Sequence, residues 1–105
     1  VPRVFYFEFD KVMLSSEARS ALRLHAQSLR SNPAKIRLLG HADERGSREY
    51  NMALGEHRGN VVRDFLIQEG VSSSLIEVIS YGEEKAASSG SNEDSWAMNR
   101  RVELK

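Results

Sequence analysis

A chain of 105 residues, 40% hydrophobic and 29% charged, has the length and composition of a single domain with one core, spanning residues 1–105. Fifteen basic and fifteen acidic residues leave a formal charge of +0, so no global field draws it to nucleic acid or an anionic membrane, and specificity must be local. Cysteine is absent, which excludes disulfides, thiolate catalysis and zinc-finger spacings, and no apolar run approaches the ~18 residues of a membrane span.

The chain opens on Val1-Pro2, with neither an initiator methionine nor a signal peptide, and reads as a processed protein or an excised domain. Val4 to Phe9 is rich in β-formers, and Phe5, Phe7 and Phe9 alternate onto one face of an expected strand running into the turn Asp10-Lys11. Ser15 or Ser16 is placed to cap a helix with Glu17 in its first turn. Ala18, Leu22, Ala26 and Leu29 then recur at helical spacing until Asn32-Pro33 stops it. Lys35 to Ala42 is the second expected strand, with Ile36 and Leu38 on one face.

The turn Asp43-Glu44-Arg45-Gly46-Ser47 launches a long helix that ends at Glu69-Gly70, where glycine suits the position past a helix end. Gly55 and Gly59 on that helix each cost up to ~1 kcal/mol against alanine, which implies close packing against a neighbour. Leu75 to Tyr81 is the third strand, and Gly82 to Asp94 a polar surface excursion. A helical turn around Trp96-Ala97-Met98, with Trp96 and Met98 as packing residues, leads into a last strand from Arg101 to Lys105. The order β-α-β-α-β-(short α)-β implies an α/β (α+β) sandwich with helices on one face of a small mixed four-stranded sheet.

At about 100° per residue, Tyr50, Leu54, Val61 and Phe65 share one side of the long helix, with Arg58 among them and Asn51 close beside it. A guanidinium aimed toward a core is costly unless something pairs with it. The nearest preceding acids are Asp43 and Glu44. Two readings stand. Asp43 and Arg58 form an ion pair tying strand to helix, or they line an open socket for an anion or a zwitterion. In the second case Asp43 takes an ammonium and Arg58 a carboxylate, and Arg45, Ser47 and the free N–H groups of the helix start add capacity for anions.

Of the possible metal ligands His41, Asp43 and His57, the first two would share one face of a strand but find no third ligand at a recognised spacing, and there is no HExxH or Cys/His cluster, so neither metal nor cofactor is expected. No nucleophile elbow, phosphate loop or dinucleotide fingerprint occurs. The adjacent acids Asp43/Glu44 and Glu83/Glu84 read as solvated rather than catalytic, and an enzyme is not expected.

The string from Gly40 to Ser47 (GHADERGS), Glu49-Tyr50-Asn51 and Leu54 to Arg58 together resemble the signature of the OmpA-like peptidoglycan-binding domain. Phe7 to Lys11, Ser80 to Lys85 and Asn99-Arg100-Arg101-Val102 extend the likeness over nearly the whole chain, in order. Within that family, HADERG is similar to its lipoprotein branch. The resemblance implies a non-catalytic wall anchor at the periplasmic face of the outer membrane, gripping the meso-diaminopimelate residue of peptidoglycan peptide stems. The family's aspartate and arginine fall on Asp43 and Arg58, and its accompanying contacts on Phe9, Asp10, Arg45, Ser47, Asn51 and Leu54.

The resemblance further implies a TolB-like periplasmic β-propeller protein as partner. Membrane attachment would come through an N-terminal lipid anchor that these residues, lacking cysteine, do not contain. Alternatives are an envelope protein-interaction module whose main partner is that propeller protein, or the stator or porin branch, which HADERG disfavours. The sequence departs modestly from the branch, with Ser47 in place of threonine, and His57 and Gly59 in place of arginine and alanine.

Overall fold

The computed structural model describes all of residues 1–105. Strand β1 (Val4–Tyr6) is followed by helix α1 (Ser16–Ser31), strand β2 (Ile36–His41) and helix α2 (Arg48–Gln68). A 3-10 turn at Ser73–Leu75 precedes strand β3 (Ile76–Gly82), and helix α3 (Glu93–Asn99) leads into strand β4 (Arg101–Leu104). The strands form one mixed sheet in the order β1-β4-β2-β3. β4 runs antiparallel to both β1 and β2, whereas β2 and β3 are parallel, as a strand-helix-strand crossover requires. The expected architecture is the observed one.

The helix starts follow local chemistry. Ser15 Oγ accepts the Ala18 amide at 3.0 Å, and Ser47 Oγ accepts the Tyr50 amide at 3.1 Å, each satisfying one orphan donor of a first turn. Leu22, Ala26, Leu38, Val62, Leu66 and Val102 are buried between helices and sheet, with Phe5 and Phe7 beside them. α2 lies directly on β2. A Cβ on Gly40 would stand 1.8 Å from the Gly55 carbonyl oxygen, so two glycines let strand and helix backbones touch. A Cβ on Gly59 would meet Val78 Cγ1 at 2.6 Å. The expectation of close packing at Gly55 and Gly59 holds, and Gly40 is its counterpart on the strand.

Two expectations are corrected. The first strand ends at Tyr6, and Phe9 is 52% exposed instead of alternating into the core with Phe5 and Phe7. The last ladder bond here is Phe7 N–H to the Arg100 carbonyl, after which the chain turns at Asp10 with φ 56°, a left-handed geometry that aspartate tolerates. On α2, the buried line is Asn51, Gly55, Arg58, Gly59, Val62 and Leu66. Tyr50 is exposed, and Leu54, Val61 and Phe65 flank that line half-buried. The two glycines draw this face onto the sheet, so the helix rotates away from its larger apolar side chains.

Candidate functional site

Arg58 is wholly buried, and its partners are not carboxylates. Nε donates to the Lys11 carbonyl at 2.9 Å, Nη1 to the His41 carbonyl at 3.0 Å and Nη2 to the Glu8 carbonyl at 3.1 Å. The Phe7 ring lies 5.4 Å from its Cζ. One guanidinium therefore ties the β1–α1 turn to the end of β2. Burial, with the nearby Arg100 charge, pushes its pKa down to about 10 against the pull of Asp43, Asp10 and Tyr50, so it remains a cation at neutral pH. Three of its five N–H groups serve carbonyls, and its charge has no carboxylate within ion-pair distance.

Asp43 is 4% exposed and pairs elsewhere. Its Oδ1 accepts the Arg45 amide at 3.0 Å and Arg45 Nε at 3.2 Å; its Oδ2 accepts Arg45 Nη2 at 2.8 Å. Arg100 Nη1 adds an ion pair to Oδ2 at 3.5 Å. Burial acts to raise the Asp43 pKa, but the hydrogen bonds and charge of Arg45, with Arg100, outweigh it and hold the carboxyl below its ordinary range. Arg100 also donates to the Phe7 carbonyl and to Glu93, both at 2.8 Å. Glu93 lies 3.9 Å from Arg45, closing a ring of alternating charge: Asp43, Arg45, Glu93, Arg100.

The ion pair between Asp43 and Arg58 is thus not formed. Both side chains instead line one cavity of about 250 Å³, with Phe9, Asp10, Arg45, Gly46, Tyr50, Asn51 and Leu54. Of the expected contacts only Ser47 is outside it, capping α2. Tyr50 O–H donates to Asp10 Oδ1, and Asn51 Nδ2 donates to Glu83 Oε1 at 2.9 Å. Burial of Asn51 and the exposure of Tyr50 put one amide at the cavity base and a phenol at its mouth.

Sequence reasoning missed Arg100 and Glu93 as parts of this site. Arg100 stood inside a motif that marked the family, but it lies 57 residues from Asp43, and no spacing rule reaches across that gap. A larger cavity of about 820 Å³ adjoins the charged one through Phe9, lined mainly by apolar side chains that include Tyr6, Phe7, Met13 and Met98. Its charged lining, Glu8, Lys11 and Arg100, includes neither Asp43 nor Arg58, which the smaller cavity brings together. His41 is buried with its ring centroid 5.6 Å from that of Tyr81.

A mixed sheet carrying an arginine-floored cavity at the β2–α2 junction defines the class, and the chain belongs to the OmpA family, which matches residues 6–100. Its relatives include the peptidoglycan-associated lipoprotein of Pseudomonas putida, 52% identical over 101 residues, which cover 96% of this chain and 61% of that protein. The chain spans about three fifths of the length of such curated relatives. The crystal structure of the peptidoglycan-associated lipoprotein from Burkholderia pseudomallei matches with a TM-score of 0.96 at 42% identity, covering 98% of this chain and 88% of that one. The likeness to the lipoprotein branch noted in the HADERG string is therefore found across the chain. The C-terminal domain of Helicobacter pylori MotB matches with a TM-score of 0.87 at 21% identity, over 97% of this chain and 81% of that one, a likeness of fold alone.

Proposed function

We propose that this domain is a non-catalytic binding module for peptidoglycan peptide stems, holding meso-diaminopimelate in the cavity between Asp43 and Arg58. The observation that carries the reading is the floor of that cavity: a buried arginine with no carboxylate within ion-pair distance and two N–H groups unused. A ligand carboxylate would neutralise it through charge-assisted hydrogen bonds. An adjacent ammonium on the same ligand would face Asp43 and Asp10. Family membership and relatives named for their association with peptidoglycan support peptidoglycan as the ligand. In this reading the domain works at the periplasmic face of the outer membrane, tethering it to the wall, with the lipid anchor belonging to a longer chain.

The test is co-sedimentation with purified peptidoglycan, competed by a soluble diaminopimelate-containing peptide. Asp43→Asn and Arg58→Gln should each abolish retention while circular dichroism shows the fold intact, since truncating one partner of a desolvated charge pair costs ~2–5 kcal/mol. Amidation of the diaminopimelate carboxyl should weaken competition. Unchanged retention in both folded variants would overturn the proposal.

A second reading, docking of a TolB-like envelope protein, is favoured by the apolar cavity beside Phe9, where Tyr6, Met13 and Met98 are exposed. Soluble peptide stems that displace such a partner would place both ligands around Phe9; simultaneous binding would separate them.

A further inference from the structure

Trp96 is the only tryptophan of the chain, and it lies outside the charged cavity. The structure gives it more than packing. Its ring centroid is 4.0 Å from the Arg45 Cζ, and the Phe9 ring centroid is 3.9 Å from the same atom. Its indole N–H donates to Glu44 Oε2 at 3.2 Å, an oxygen that also accepts Ser91 Oγ at 2.7 Å. The ring is therefore held in orientation by its own hydrogen bond while its face meets the guanidinium.

An arginine side chain loses rotamer freedom when it is held in one place, and an exposed ion pair seldom offsets that loss. Here the two rings cover the guanidinium and leave its in-plane donors, Nε and Nη2, for the two oxygens of Asp43. With the arm already fixed, a ligand does not have to order it on arrival.

We propose that Trp96 is a positioning residue of the cavity: its ring fixes Arg45, and through Arg45 the Asp43 carboxylate, in the geometry that receives a ligand bearing carboxylate and ammonium groups. The inference rests on the peptide-stem reading of the site. It assigns to α3, which supplies no residue to the cavity lining, a share in affinity.

The experiment titrates the whole domain with a synthetic meso-diaminopimelate tripeptide by calorimetry. Trp96→Leu should weaken binding about 5-fold, Trp96→Phe should recover most of that loss, and Trp96→Leu placed on Arg45→Gln should weaken it by less than about 2-fold more. A merely structural role would give the same loss in both backgrounds and no rescue by phenylalanine. A ligand-independent measurement, the carboxyl carbon titration of Asp43 by NMR, should show its pKa rising in Trp96→Leu and little further change when Trp96 is replaced in Arg45→Gln.

Should Trp96→Leu not fold, Trp96 fluorescence decides: Arg45→Gln should alter the emission of the free domain, and tripeptide should alter that of the wild type. An unchanged Asp43 titration with unchanged affinity, or unchanged emission in both comparisons, overturns the inference while wild-type binding preserves the peptide-stem reading. Absence of wild-type binding overturns the reading itself, and the inference with it.

Discussion

The Arg100 guanidinium lies 3.5 Å from the Asp43 carboxylate, joining the start of β4 to the turn before α2, and both side chains are nearly inaccessible. Arg45 engages both Asp43 oxygens, and Glu93 lies against Arg45 and Arg100 in turn, so the two acids and two bases of the ring balance. Asp43 therefore serves first to hold Arg45 and Arg100 in register.

That relationship is open to test by removing Arg100. Arg100→Met leaves the Phe7 carbonyl without its donor while Asp43 keeps Arg45, and costs about 1–3 kcal/mol, the range for a buried acceptor left unpaired. Urea denaturation measures this, and a loss below about 1 kcal/mol would show the ring of charges to be energetically idle.

Arg58→Lys should fail as a conservative replacement. One ammonium cannot span carbonyls of residues 8, 11 and 41 as the guanidinium fork does. Loss of about 2–4 kcal/mol is expected, together with faster amide exchange in the turn between β1 and α1. Wild-type exchange rates there would refute the stitching role.

The backbone contact of β2 and α2 ranks three substitutions. Gly40→Ala drives a methyl into a carbonyl oxygen at 1.8 Å and should cost at least about 3 kcal/mol, with Gly55→Ala close behind. Gly59→Ala meets only the Val78 side chain, and a helix-propensity gain of up to ~1 kcal/mol offsets its repacking, so it should lie within about 1 kcal/mol of wild type. Thermal unfolding of the three variants checks the order.

His41 provides a pH signature. Burial first, then the Arg101 and Lys85 charges against the opposing Glu103, push its pKa down to about 4 from 6.5, and neither ring nitrogen has a hydrogen-bond partner. As pH falls from about 6.5 to about 4, the unfolded chain takes up a proton that the fold refuses. Stability should fall over that window with a slope of at most about 1.4 kcal/mol per pH unit. Asp43, whose folded pKa is depressed, acts in the same direction only below the ordinary carboxylate value of 3.8. His41→Phe should flatten the upper window, measured as urea midpoints between about pH 4.5 and 7; an unchanged slope would place the titrating group elsewhere.

Much of this was legible in the one-dimensional pattern. Strand and helix order followed from periodicity, and the Gly55/Gly59 spacing announced a close approach because glycine inside a helix needs a compensating reason. Arg58 stood out for the same cause, a residue whose place on the helix was costly. Its partners were not legible: backbone carbonyls carry no sequence signature, and the nearest acid, Asp43, is the one partner that a sequence displays. Phe9 was misplaced because alternation cannot show where a ladder ends, which here depends on the Arg100 carbonyl at the far end of the chain. Tyr50 was misplaced because apolar spacing does not reveal that two glycines bring the neighbouring face of α2 onto the sheet.

The stitching by Arg58 has a mechanical consequence. β1 is an edge strand, and it leads within a few residues into the turn whose carbonyls Arg58 holds. A pull applied at the N-terminal end, against a ligand held in the cavity, would travel along β1 into residues 8–11 and across the guanidinium to the ligand. That path bypasses α1 and β3, while the ladder between β1 and β4 shares the load with the sheet. The residue proposed to grip the ligand is also the rivet that takes the tension.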